Sequence, residues 1–244
     1  MGPEISIRPE EIFSIGSFPV TNSFLLAFLS LVVLVAIGFL LRRKLSLIPG
    51  KLQGIAEILL ESLLSLMDSI LGERRTSEKY LPIVGTIFLF ILASNWLGLV
   101  PFVGPLEVGL DGHKIPLFRS PASDLNFTIA LAVIAVLSVH IASVLKLGAK
   151  KHFGKFFTFK NPVVSFAGLL EFISEFIKII SFSFRLFGNV FAGEVLLAIV
   201  GFLVPYVIPL PFLFLEVFVG FIQAFIFSML TLVFIAIGTK EEAH

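Results

Sequence analysis

Between Asn22 and Leu41 the chain runs for 20 residues without a charged side chain, long enough to cross the roughly 30 Å hydrocarbon core of a bilayer as one helix. Uncharged stretches recur at about Leu81–Val103 and Leu125–Leu145, and two longer apolar ones that carry a few charges fill the last third, about Pro162–Val204 and Pro211–Gly238. Five such stretches predict an all-α polytopic membrane protein. Composition agrees: 14% of residues are charged, against about 25% in a soluble domain. The 29 phenylalanines and single tryptophan suit lipid-facing and helix-packing surfaces. With zero cysteines there is no disulfide framework, thiolate metal site or cysteine nucleophile. No phosphate-cradling loop is present either, so no cofactor, metal or nucleic acid is expected.

A single membrane domain over residues 1–244 is expected, opening with a short acidic outer segment, 1–21. That segment lacks the basic start and small-residue cleavage site of a secretory signal. The first span, 22–41, is stopped by Arg42-Arg43-Lys44. Over 49–71 the pattern changes. Leu52, Ile55, Ala56, Leu59, Leu63, Leu66 and Ile70 share one helical face, and Glu57, Glu61, Ser65 and Asp68 another, which predicts one interfacial amphipathic helix. Pro49 near its start and Gly72 after its end suit its boundaries. A helical hairpin is expected over 81–145, its arms joined by a loop from Pro105 to Pro121. A basic loop, Lys146–Lys160, leads to a final hairpin over 162–238.

The first arm of that last hairpin is about twice as long as the hydrocarbon core is thick. It must be steeply tilted, kinked or partly outside the membrane; a long, strongly tilted antiparallel hairpin is expected, with a break near Gly188 or Gly193 as the alternative. Lysines and arginines set the orientation. Arg42, Arg43, Lys44, Lys51, Arg74, Arg75, Lys79, Lys146, Lys150, Lys151, Lys155, Lys160 and Lys240 fall on one side, and only Arg8, Lys114 and Arg119 on the other. The positive-inside rule then puts the amino terminus outside and the carboxyl terminus in the cytoplasm.

Lys178 and Arg185 remain, inside the long helices. Arginine cannot shed its charge by losing a proton. At bilayer depth it must face protein, water or a counter-charge, and it marks a functional site by default. Lys178, Ser181, Arg185, Asn189 and Ala192 share a face. Glu194, nine positions after Arg185, falls on the opposite side, displaced by about 13.5 Å along the axis. An antiparallel register that sets Arg185 across from Gln223 also sets Glu194 across from Glu216, to within two residues. A cation on one face and acids on the other suit two separated polar pathways. Glu171, Glu175 and Lys178 read equally as ion pairing at the cytoplasmic helix end or as a proton access route. Gln223 alone suits a helix–helix hydrogen bond. His140 reads as interfacial. Asn95 and Asp124 read as packing or capping residues, with Asp124 also placed to admit water.

The run Phe184-Arg185-Leu186-Phe187-Gly188-Asn189, continuing to Ala192-Gly193-Glu194, resembles the signature of subunit a of the F-type ATP synthase. The resemblance extends to Gln223-Ala224-Phe225-Ile226-Phe227 with Leu230-Thr231, and to Phe88-Leu89-Phe90-Ile91 with Ser94-Asn95 and Leu97-Gly98-Leu99. It implies a non-catalytic, ion-translocating stator in the membrane Fo sector, partnered by a c-subunit ring, a b-subunit peripheral stalk and, indirectly, the F1 sector. Arg185 would separate two half-channels and meet the ring carboxylates. Gln223 and Asn189 would lie beside it, and Glu194 and Glu216 on the outer path. The family often has an acid and a histidine at those two positions; two glutamates here leave both H⁺ and Na⁺ open. A bacterial cell (inner) membrane is expected, with an organellar one as the alternative. A secondary transporter would need an internal repeat with matched broken helices, and none is visible. A structural scaffold would have no use for these buried polar groups.

Overall fold

A computed structural model describes residues 8–43, 45–100, 106–110, 113–154, 156, 162–205 and 207–240. Lys44, Val103, Pro105, Lys155 and Lys160, which enter the sequence argument, lie outside the described residues.

The chain is an all-α polytopic membrane protein with two small β-hairpins added to its connections. Strands β1 (Glu11–Ile15) and β2 (Phe18–Thr21) pair antiparallel about a turn at Gly16, whose φ of 65° favours glycine. Helix α1 (Asn22–Arg43) follows, then α2 (Lys51–Leu71) and α3 (Arg74–Gly98). Strands β3 (Glu107–Leu110) and β4 (His113–Pro116) pair antiparallel as the second hairpin. A 3₁₀ turn (Pro121–Ser123) leads into α4 (Leu125–Leu147), the short α5 (Ala149–Gly154), α6 (Pro162–Leu203) and α7 (Pro209–Gly238). The helices α1, α3, α4, α6 and α7 are long and apolar enough to cross a membrane.

Four findings refine the sequence expectations. α3 begins at Arg74 rather than near Leu81, because its first turns are tied by an Arg74–Glu78 pair four residues apart and need not be apolar. α6 is unbroken: helix continues through Gly188 and Gly193 over 42 residues, or about 63 Å. The basic segment after α4 contains α5, folded back on α4 because Gly148 takes a φ of 84°. In α2 only the second half is packed, through Leu63, Leu64 and Met67, while Leu52, Ile55 and Ile58 are exposed.

The core forms where α3, α4, α6 and α7 meet. Ile87, Phe88 and Ile91, then Leu131, Ala132 and Ala135, then Phe182, Leu186 and Val190, with Ala224 and Phe227, make one cluster. A second joins Leu63 and Met67 of α2 to Tyr80, Val139, Leu232 and Ile235. α3 packs chiefly on α7, and α4 on α6; α3 and α4 touch only sparsely, as between the Phe90 and Phe127 rings, so residues 81–145 do not pack as a hairpin of their own. Polar atoms join the apolar surfaces. Asn95 Nδ2 donates to Gly220 O at 3.1 Å, Trp96 Nε1 to Val217 O at 3.1 Å, and the Thr128 and Ser183 hydroxyls pair at 2.9 Å. Small residues and buried hydrogen bonds hold helices together where lipid offers no hydrophobic drive between them.

Candidate functional site

The helical period divides α6 into two faces. Ile177, Ser181, Phe184, Arg185, Gly188, Asn189 and Ala192 are all exposed, at spacings of three and four residues. Phe182, Leu186 and Val190 turn inward. Arg185 therefore sits on an uncovered stripe whose other polar side chains are Ser181 and Asn189. Among the described residues its side-chain hydrogen bond goes to Ser181 Oγ at 3.3 Å, one turn back on the same stripe. Gln223 is 8% exposed, within the packed face of α7, and is not joined to Arg185 by a hydrogen bond.

On the other side of α6, Glu194 and Glu216 line one cavity with Asn95, Ser120, Val190 and Gly220. Its volume of about 20 Å³ is enough to hold a water molecule. Asn95 Oδ1 and Ser120 Oγ are buried there without a hydrogen-bond partner in the protein, and such atoms are rare unless water meets them. Gly193 lets the two helices close up: a methyl group on it would collide with the Glu216 carboxyl. That contact is one residue from the pairing of Glu194 with Glu216 that an antiparallel register gives. Glu194 also has a cation, with Arg119 Nε 3.5 Å from its Oε2. Arg119 in turn donates to Ser123 Oγ at 3.0 Å and to Arg8 O at 3.3 Å.

Asp124 is occupied elsewhere. It caps α4 by accepting from Asn126 N at 2.9 Å, and it accepts from Ser23 Oγ of α1 at 2.7 Å. It does not line the cavity. Toward the other end of α6, Lys178 donates to Glu175 at 2.7 Å, and His140 of α4 lies 3.6 Å from the same carboxylate. His152 of α5 pairs with His140 at 3.0 Å. Glu171 lies one turn away, partly exposed.

The structure thus brings Glu194 together with Glu216, and Glu175 with Lys178 and His140. It holds Arg185 apart from both groups. Sequence reasoning missed Arg119 and His152 as members of these clusters. Arg119 carried a signal, as one of few cations on the cation-poor side of the chain. His152 carried none, because only the turn at Gly148 brings it back to His140.

A family model described as ATP synthase A chain matches residues 24–236. The chain is 35% identical over 230 residues to the ATP synthase subunit a of Moorella thermoacetica, covering 94% of this chain and 96% of that protein. It is 34% identical over 222 residues to the ATP synthase subunit a of Campylobacter jejuni subsp. jejuni serotype O:23/36, covering 88% and 90%. With the ATP synthase subunit a 1 of Syntrophotalea carbinolica it shares 35% identity over 222 residues, covering 89% and 85%.

Proposed function

The chain belongs to the ATP synthase subunit a family, and on that premise we propose that it provides two offset half-channels through which protons load and unload a rotating ring of c subunits. As a proton-translocating member of the membrane Fo sector it carries out no phosphorylation. That chemistry belongs to the F1 sector, and a b-subunit stalk holds the chain still against the turning ring.

The observation that carries this reading is the division of α6, with Arg185 on an uncovered stripe and Glu194 on the opposite, cavity-lining side. An uncovered guanidinium in lipid costs about 2.5–3.5 kcal/mol or more and cannot be relieved by deprotonation. A ring carboxylate passing along the stripe offsets that cost. In this mechanism a proton from outside enters the cavity, passes by Glu216 and Glu194, and neutralises a ring carboxylate. Neutral, the carboxyl can face lipid, because the penalty for burying its charge is gone. When rotation brings it to Arg185, the guanidinium favours the ionised form and the proton leaves toward Glu175 and Lys178, with Glu171 at the inner mouth. Asn189 and Gln223 flank the passing carboxylate. Arg185 also repels protons that would otherwise pass straight from one path to the other. Each charge gains about 2.3 kcal/mol per 100 mV, so several must cross for each ATP. The lysine and arginine distribution supports an amino terminus outside and a cytoplasmic carboxyl terminus.

The test is Arg185→Ala in membrane vesicles carrying the complete complex, with ATP-driven pumping and passive proton leak measured together. Loss of pumping with normal assembly and a raised leak is expected. Pumping at the normal rate overturns the reading.

A further inference from the structure

Arg119 has no task in the proton path described above, yet it is built into the outer cavity more firmly than a surface cation needs to be. It stands on the connection between β4 and the 3₁₀ turn, its side chain 13% exposed. Its guanidinium reaches three separate segments: Glu194 Oε2 of α6 at 3.5 Å, Ser123 Oγ of the turn at 3.0 Å and Arg8 O of the amino-terminal segment at 3.3 Å. Ser123 is itself held, donating to Ser120 O at 2.9 Å. Ser120 in turn is pressed against α3, where a methyl group on Gly98 would stand 2.9 Å from its Cβ. A guanidinium fixed on several sides keeps its place when an ion passes.

The cavity beside it carries the oxygen chemistry of a hard-cation site. Glu194 and Glu216 bring two carboxylates, and Asn95 Oδ1 and Ser120 Oγ are buried without a hydrogen-bond partner in the protein. Carboxylate, amide and hydroxyl oxygens are the ligands that hard metal cations take. Among the described residues Glu216 has no ion pair, whereas Glu194 has Arg119. The permanent charge of the arginine offsets one of the two carboxylates. The two candidate ions feel that charge differently. A proton bonds covalently to one carboxylate oxygen, with a dissociation constant of about 10⁻⁴ M at an ordinary carboxyl, and needs no further ligand. A sodium ion has no such bond and depends on several oxygens and their summed charge. The same repulsion weakens both, but only the proton has a covalent bond to offset it.

We propose that Arg119 is the specificity residue of the outer cavity, keeping sodium and other hard cations off the Glu194–Glu216 pair so that protons alone use it; this rests on the proton-path reading above. The guanidinium acts in two ways. It occupies the Glu194 oxygen that faces it, so a metal ion cannot collect both carboxylates, and its fixed charge repels a second cation. The role is separate from that of Arg185, which lies on the opposite, uncovered side of α6.

The experiment uses proteoliposomes carrying the purified complete complex, assayed for ATP-driven proton pumping in sodium chloride against choline chloride of equal ionic strength on both sides of the membrane. The parent complex should pump equally in the two salts. Arg119→Gln should pump about tenfold more slowly in sodium than in choline, the loss expected once sodium exceeds its dissociation constant about tenfold. Arg119→Lys, which keeps the charge, should show no such difference. A parent complex that sodium inhibits, or that pumps sodium, overturns the proposal, and so does sodium inhibition of R119K. Equal pumping by R119Q in both salts, at whatever rate, overturns it as well, since a lost tether slows both alike. Should R119Q fail to assemble, Arg119→His at about pH 8, where its ring is neutral, takes its place beside R119K and is judged by the same results. Arg185→Ala run in parallel separates the claims: normal pumping there sinks the proton path itself, while its loss beside a sodium-insensitive R119Q sinks the specificity role only.

Discussion

Gly193 shows how one missing side chain can position another. Its bare Cα is what admits the Glu216 carboxyl between α6 and α7. Alanine in an unbroken helix is otherwise favourable, so Gly193→Ala should leave the fold intact while pushing a flexible carboxyl off the cavity. Misplacement of about 1 Å can cost on the order of a hundredfold in a proton-handling step. Pumping by G193A should therefore fall by about ten- to a hundredfold with thermal stability unchanged, and shortening the acid with Glu216→Asp in the same chain should restore part of it. Equal pumping by G193A and the parent protein would show that the Glu216 position is immaterial. The proximity behind this expectation was half legible in the sequence. Antiparallel counting set the two glutamates level, but only packing reveals that the acid lies over the glycine and that Arg119 faces its neighbour.

At the scale of helices, the α2–α3 corner is held by Arg74, whose nitrogens lie 2.6 Å from Glu61, 3.1 Å from Asp68 and 3.3 Å from Glu78. The hydrogen bond from Arg74 holds the Glu61 carboxyl below its usual range. Asp68 is held low first by the Ser77 hydroxyl and then by Arg74. Both folded-state values are depressed. Their stabilisation is thus complete above the ordinary carboxylate range and disappears as pH falls through the lower, folded values. Hydrogen exchange in the second half of α2 should be flat above about pH 5, after correction for its intrinsic pH dependence, and rise about two- to fivefold below about pH 4. The rise should shrink in high salt and shrink in Arg74→Gln, which frees Glu61 and leaves Asp68 only the Ser77 hydroxyl. An identical acid response in that variant would remove the corner from the explanation. The helices themselves were readable because membrane length and charge are properties of a contiguous run. The tertiary corner was not, nor were the Ser23–Asp124 and Asn95–Gly220 bonds, which join residues 101 and 125 positions apart. The two β-hairpins went unforeseen because backbone pairing in strands of four or five residues leaves little trace in composition.

For the whole molecule, the decisive expectation is its direction in the membrane. The chain has no cysteine, so a single one introduced anywhere reports without background. Glu10→Cys should react with a membrane-impermeant maleimide from outside, and Lys240→Cys only from the cytoplasmic side. The opposite pattern would invert the assignment and exchange the loading and unloading ends. That labelling would also fix which cluster meets which compartment, since Glu194 and Glu175 stand toward opposite ends of one helix. Because α6 has no break, those two groups are held about 28 Å apart by a single stiff rod. The consequence is metrical. On the proposed half-channel reading, a rod of fixed span would work as a calliper: wheels of any circumference that rolled against it would be filled and emptied at the same two marks. More teeth on the wheel would then change only how many pass per turn, and thus the gear ratio, with no alteration to this chain.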